Sequence, residues 1–480
     1  MIAESTVRPG HGLGVSALAA RLARGETSSL ALAEDFLAGI ESRGAALNAF
    51  ITVTADVART AAEASDRRRM ARTTLGPLDG VPIAIKDNID VAGIATTAGI
   101  EARRKRISAI DAPVVARLKA AGAVILGKLN MHEGAHGATT ANEAYGYCFN
   151  PHRDGFTPGG SSGGSGAAVA AGLCAGALGT DTLGSVRIPA SFCGIAGLKP
   201  TQGLVSARGV VPLAWSLDHV GPMAPYIDDL RLMLEVIAGG DSLDPFSSTS
   251  PRSLDFAAPS ASLKGLRLGR IFDLARAAGD AIDPDIESGY EAALRILREL
   301  GADIVDVDMD GFDHGQVRSK ALLVIESDLA VVHAEDLEKN PAGFTQLFRD
   351  GIEFGRRQSA PKLAAAFNTL RAVRPVAARV FGAVDALVTP TTPVPAFSFK
   401  KAMPKTLTAF TAFANYTGAP AVSVPMGFTR DGLPMGLQVI CRPFGDLAAI
   451  RIAGAYERAA GWDMRPGAVA SAPRDGMMRS

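Results

Sequence analysis

Three spacings in this sequence invite a chemical reading. His132-Glu133-Gly134-Ala135-His136 matches HExxH, in which two imidazoles one helical turn apart bind a metal beside a general base. That pattern needs a stable helix, and Gly134 and Gly137 each disfavour one by about 1 kcal/mol. No HxxGxxH continuation supplies a third ligand, so the expectation is a loop or helix start after a buried strand, without metal. Gly122 to Lys128 fits GxxxxGK, but the four residues between are Ala-Val-Ile-Leu, which make a strand rather than a loop of converging N–H groups. Position 129 is Leu, so the hydroxyl that would hold magnesium is missing and no nucleotide is expected. Gly160-Ser161-Ser162-Gly163-Gly164 fits GxSxG, with Ser162 as nucleophile of a hydrolase elbow. An elbow follows directly on a strand, whereas His152 to Pro158 is turn chemistry.

A longer constellation survives. Gly159 to Ala168 reads GGSSGGSGAA, Gly179 to Ala190 reads GTDTLGSVRIPA, and Cys193 to Thr201 reads CGIAGLKPT. Upstream stand Gly80-Val81-Pro82-Ile83-Ala84-Ile85-Lys86-Asp87-Asn88 and Gly127-Lys128-Leu129-Asn130-Met131. Downstream stand Thr389 to Pro393 (TPTTP), Gly418 to Gly427 (GAPAVSVPMG) and Gly432 to Gln438 (GLPMGLQ). Together they closely resemble the amidase signature family, over nearly the whole chain. The resemblance implies a Ser-Ser-Lys triad: Ser185 as nucleophile, Lys86 as ultimate base, and Ser161 relaying a proton between them, with a cis peptide at Gly160–Ser161. It implies an oxyanion hole from the N–H groups of Thr182, Leu183, Gly184 and Ser185. Asp181 and Arg187 would be a buried pair holding that loop in shape, and Asp87 and Asn88 would support the base. This chain departs from the family at Leu183, where Gly is usual. Leucine keeps the N–H but resists a positive φ and adds bulk, so either the angle there is permissive or the acyl pocket is altered.

The chemistry asks for such residues on its own account. A serine hydroxyl is a poor nucleophile until a base takes its proton, and the seven histidines all lie outside the two Ser/Gly motifs. A lysine serves only when neutral, and its ordinary pKa is about 10.4. Bringing it near 7 costs about 4.6 kcal/mol, within reach of full desolvation. The run Val81-Pro82-Ile83-Ala84-Ile85 before Lys86 is a suitable apolar context. The implied reaction is serine-dependent hydrolysis of a carboxylic amide to acid plus ammonia or amine through an acyl-enzyme, with no cofactor. The alternatives are the glutaminase subunit of a tRNA-dependent amidotransferase and a catalytically dead scaffold. Met131, Ala135, His136 and parts of 310–380 are candidates for the substrate pocket.

These residues must be placed by a chain of 480 residues with 49 Lys+Arg against 49 Asp+Glu, 47% hydrophobic and 20% charged. That composition is globular rather than disordered. Zero net charge gives no pull toward nucleic acid, and Arg103-Arg104-Lys105-Arg106 reads as a solvated helix end. With the implied reaction, the expected partner is a small-molecule amide, with no nucleic acid or membrane, and a homodimer is the assembly considered. Cys148, Cys174, Cys193 and Cys441 are scattered without CxxC pairing, and Met1 to Gly14 lack a signal-peptide pattern, so a cytoplasmic location is expected.

Helical periodicity at Val15 to Arg24, Ser29 to Ser42, Ala112 to Ala121 and Ile282 to Leu300 alternates with short apolar runs at Val81 to Ile85, Ala123 to Leu126, Gly265 to Ile271, Asp303 to Val307, Ala386 to Val388, Ala421 to Val424 and Gly436 to Ile440. The Gly/Ala/Ser-rich stretch from Gly155 to Gly203 carries Val169, Leu173 and Ile195, which a linker does not need; it reads as core, with a helix over Ser165 to Cys174. The resemblance to the amidase signature family implies an α/β fold class, a single domain over 1–480 with a mixed twisted sheet enclosed by helices, and this alternation of helical and apolar runs agrees with it. Helices at about 1–75 and a helical lobe at about 310–385 would belong to it.

Overall fold

Segments of four to eight residues, most of them apolar, become eleven strands of one mixed sheet in the computed structural model, which describes residues 12–247 and 262–467. Residues 1–11, with His11 and most of the segment read for a signal peptide, lie outside the described residues. The strands are β1 (Phe50–Val53), β2 (Pro82–Lys86), β3 (Val124–Leu129), β4 (Gly176–Asp181), β5 (Ala196–Lys199), β6 (His219–Ala224), β7 (Arg267–Ile271), β8 (Asp303–Val307), β9 (Ala386–Pro390), β10 (Ala421–Phe428) and β11 (Pro434–Cys441). Their spatial order is β1-β3-β2-β4-β6-β5-β10-β11-β9-β7-β8. Parallel pairs β3/β2/β4 and β9/β7/β8 flank a central antiparallel run. The mixed sheet follows from connection length: helical crossovers give parallel neighbours, while the short link from β10 to β11 gives a hairpin.

β2 and β3 are buried along their whole length, as expected for strands covered on both faces. The helix Pro113–Ala120 between them begins with Pro at its first position and ends before Gly122, whose φ of +85° suits only glycine. Gly122 to Lys128 is therefore a turn and a strand. The Gly/Ala/Ser stretch is core, and its helix runs over Gly163–Ala170. Its small residues let the backbone approach closely: a Cβ on Gly164 would fall 2.3 Å from the Asn130 carbonyl oxygen.

From His314 to Ala383 the chain is almost entirely helical, in His314–Val332, Ala334–Lys339, Gln346–Arg356, Ala360–Arg371 and Val373–Ala383. Arg104, Lys105 and Arg106 are exposed after the short 3-10 turn Glu101–Arg103, as expected of a solvated helix end, and Arg103 alone departs from that expectation. Arg103 is buried and ion-paired with Asp336, Arg106 pairs with Asp90 at 2.8 Å, and Arg104 stacks on Tyr145 while binding Glu101. Asp336 is remote in sequence and Asp90 lies across a turn, so the run looks unpaired when read linearly. No helix of the described residues is long and apolar enough to cross a membrane.

Candidate active site

Lys86 is the last residue of β2, and its side chain leaves the sheet between β2 and β4 with no solvent exposure. Its Nζ donates to Ser161 Oγ at 2.7 Å and to Thr180 Oγ1 at 2.7 Å, with the Thr180 carbonyl at 3.5 Å. Burial pushes the amine down to about 7, while the negative charges of Asp218 and Asp181 pull it partly back. Asn88 donates to the same Thr180 hydroxyl at 3.1 Å. Asp87 turns the other way, onto Lys128 at 3.3 Å and the Thr97 hydroxyl and N–H. Burial raises Asp87 and lowers Lys128, and each charge pulls its partner back.

Ser161 occupies the turn into the helix Gly163–Ala170, after a cis peptide between Gly160 and Ser161. Its carbonyl accepts from His132 N–H at 3.1 Å, and Thr140 Oγ1 ties the turn through the Gly159 carbonyl at 2.8 Å and the Gly163 N–H at 3.0 Å. Ser162 faces the sheet: its hydroxyl donates to the Thr180 carbonyl at 3.1 Å and accepts from the Thr180 N–H at 3.2 Å. That satisfied hydroxyl leaves the elbow reading of GxSxG without a free nucleophile.

Ser185 lies between β4 and the helix Arg187–Cys193, and its carbonyl accepts from the Ser162 N–H at 3.3 Å. Among the described residues no hydrogen bond joins the Ser161 and Ser185 hydroxyls; the main chain brings the two residues together. Exposure rises from 0% at Lys86 through 1% at Ser161 to 8% at Ser185, so the amine is deepest and Ser185 the most open of the three.

The turn is held from within by Asp181 and Arg187, both fully buried. Arg187 reaches Asp181 with Nε at 3.0 Å and Nη2 at 2.9 Å, and its remaining donors satisfy the Thr411 carbonyl, Gln438 Oε1 and Asn415 Oδ1 at 2.6 to 2.7 Å. Burial alone would raise Asp181, yet Arg187 and Asn415 hold its carboxyl well below the usual range. Asp181 also accepts from the N–H groups of Gly184 at 2.8 Å and Val186 at 3.1 Å. The Gly184 N–H is thus turned inward, which separates it from those of Thr182, Leu183 and Ser185. The positive φ of the turn, 132°, falls on Gly184, and Leu183 keeps an ordinary negative-φ backbone. The angle at Leu183 is therefore permissive.

Residues 132–136 form no metal helix. Only Glu133–Ala135 makes a short 3-10 turn, with Gly134 at φ 55°, and Glu133 accepts from the N–H and hydroxyl of Thr345. Burial lowers His132 to about 3 and His136 to about 4. Met131 and Ala135 are packed into the main core, while His136 stands edge-on to Phe348 with Glu326 at 3.9 Å. A cavity of about 410 Å³ lies instead against Trp215, Leu217, Asp328, Phe367, Arg371 and Asn415. Two of these residues adjoin groups already described: Asn415 bonds to Asp181, and Leu217 precedes Asp218. Linear reading missed Thr180, Thr411, Asn415 and Asp218, although Thr180 stands beside Asp181 inside a motif that it did quote.

The family model described as Amidase matches residues 31–449. A glutamyl-tRNA(Gln) amidotransferase subunit of Chloroflexus aggregans is 38% identical over 483 residues, covering 95% of this chain and 98% of that protein. Among solved structures, the peptide amidase of Stenotrophomonas maltophilia is 32% identical with a TM-score of 0.85, covering 95% of this chain and 99% of the other. The glutamyl-tRNA(Gln) amidotransferase subunit from Thermotoga maritima is 31% identical with a TM-score of 0.77, covering 93% and 94%. These relatives correct the expectation of a small-molecule partner alone with no nucleic acid. Proteins this similar along their full length are named as one subunit of an amidotransferase that is itself named for a tRNA. Net charge reports a chain's own pull on phosphates and is silent about what a partner subunit contacts.

Proposed function

The chain belongs to the Amidase family and is an enzyme that acts on amide C–N bonds, and from that premise we propose that Ser185 is its nucleophile, Lys86 its base and Ser161 the hydroxyl between them. Ser185 Oγ attacks the amide carbonyl; its proton passes to Ser161 Oγ as the Ser161 proton passes to the neutral Lys86 amine. The protons return along the same path to the leaving nitrogen as the C–N bond breaks, freeing ammonia or an amine and leaving an ester on Ser185. Water, deprotonated by the same route, cleaves the ester to acid. The carbonyl oxygen is received by the N–H groups of Thr182, Leu183 and Ser185, each such donor contributing roughly 3 to 4 kcal/mol. Asp181, Arg187 and Asp87 act as structural supports, and the substrate's substituents enter the cavity beside Trp215 and Leu217.

The observation that carries this reading is a fully buried amine 2.7 Å from the Ser161 hydroxyl, since desolvation is what makes lysine a base near neutral pH. The test is Ser185→Ala, assayed for ammonia or amine release across a panel of small amides. Turnover should fall roughly a thousandfold or more with the fold retained; unchanged hydrolysis would remove Ser185 from the mechanism.

A second reading makes the chain an amidotransferase subunit that releases ammonia for a partner. It is favoured by 38% identity to such a protein over 95% of the chain. Amide turnover by the purified chain supports an independent amidase; silence alone with glutaminase activity in a complex supports the amidotransferase role. Four free cysteines, all buried, support a cytoplasmic setting.

A further inference from the structure

One carboxylate beside this site has no task in the proton route from Ser185 to Lys86. Asp218 closes the loop that precedes β6. Its Oδ1 accepts from the Thr182 hydroxyl at 2.5 Å, and its Oδ2 accepts from the N–H groups of Leu213 and Ala214 at 2.8 and 3.1 Å. Asp181 carries its own cation, Arg187, at 2.9 Å. Among the described residues Asp218 has no ion-pair partner, and the positive group whose field it shares is Lys86. Asp218 thus touches the first residue of the acceptor turn; burial raises its carboxyl to about 6, and the bonds from Thr182, Leu213 and Ala214 and the charge of Lys86 pull it back.

We propose that Asp218 is a positioning residue with two linked tasks: it anchors Thr182, and with it the first N–H of the acceptor turn, and it supplies a buried negative charge toward which Lys86 takes up the Ser185 proton. The inference rests on the Ser185, Ser161 and Lys86 reading. Its physical basis is that a buried ammonium is costly unless an opposite charge lies nearby. Lys86 must be neutral at rest and charged midway through the reaction. A carboxylate in contact would hold it charged throughout; one that is near but bonded to a hydroxyl and two N–H groups favours the ammonium without capturing it. The other titratable groups around the pair are Asp181 with Arg187, His219 next along β6, Asp328 from the helix His314–Val332, and His132 beside Lys86. His219 and His132 are held neutral by burial.

The experiment measures covalent labelling of the full-length chain by a fluorophosphonate, in which serine displaces fluoride, as a rate against pH. In the wild type the rate should rise with a midpoint near 7. Asp218→Asn should move that midpoint down by about one pH unit and lower the plateau about tenfold. Thr182→Val loses the anchor together with one of the bonds that hold Asp218 ionised, so it should lower the plateau while moving the midpoint less than Asp218→Asn does. A purely structural role would not separate the two variants in this way. Asp218→Asn with wild-type midpoint and plateau overturns the proposal. If that variant fails to fold by circular dichroism, Thr182→Val decides, and a wild-type plateau overturns it. Failure of the underlying reading looks different: Lys86→Ala would label like the wild type with Asp218 intact, or the adduct would map to a residue other than Ser185.

Discussion

At the scale of single residues, the site turns on how much each side chain is committed before substrate arrives. Ser162 and Ser161 are adjacent, yet Ser162 spends both its donor and its acceptor capacity on Thr180 of β4, while Ser161 meets the Lys86 amine. A motif that reads both simply as serine cannot tell them apart; the register of a strand more than a dozen residues downstream does. Leu183 shows the converse. Its departure from glycine suggests strain, but the positive φ lies one residue later, on Gly184. Leu183→Gly should therefore change kcat on a small acetamide-type substrate by less than about threefold, under about 1 kcal/mol, while relieving bulk against larger acyl groups. A tenfold loss on the small substrate would mean that leucine shapes the acceptor turn after all. Lys86, Ser161 and Ser185 could be picked out as candidates in the sequence because each sits inside a long motif. Thr180, Asn415 and Asp218 were not, because their roles come from pairings across the fold.

At the scale of elements, β4 and the helix Arg187–Cys193 are joined by the turn that carries Ser185, and one buried ion pair sets its shape. Removing one partner of such a pair leaves the other charge uncompensated and typically costs about 3 to 5 kcal/mol. Arg187→Met should lower the unfolding free energy from urea titration by about that amount and impair turnover in step; a loss below about 1 kcal/mol would show that the other donors around Asp181 hold the turn without it. Element prediction succeeded for the apolar runs of β2, β3 and β10, but it missed β1, which reads FITV, and β5. It failed for β4 and β6, which read GALGTD and HVGPMA. Their small residues are there because Gly179 and Gly221 pass close to Ser162 and to the Leu198 carbonyl, 2.9 and 2.1 Å from where a Cβ would stand. Close packing against a neighbour erases the propensity signal that marks an ordinary strand.

At the scale of the whole molecule, the alternation of periods agreed with the α/β class and mixed sheet that the family resemblance implied, but the range of partners did not follow from net charge, which averages over a surface and omits other subunits. Burial of Lys86 also has a consequence for the entire fold. Between about 7 and the ordinary value of about 10.4 the unfolded chain binds a proton at this position that the folded chain does not, so this group's contribution to stability rises with pH across that window and is least favourable below it. Lys86→Met should accordingly be more stable than the wild type near pH 7, with the difference shrinking toward pH 10 in paired urea titrations; a pH-independent difference would mean that the amine is charged in the folded state.

The most direct measurement is a carbon-detected NMR titration of the Lys86 Cε in chain labelled with 13C-lysine, assigned by comparison with Lys86→Met. A desolvated amine serving as the base gives a resonance that titrates with a midpoint near 7. A midpoint near 10.4, the approximate value of a solvated lysine, would contradict that role, because such an amine could not accept the Ser185 proton through Ser161 at neutral pH.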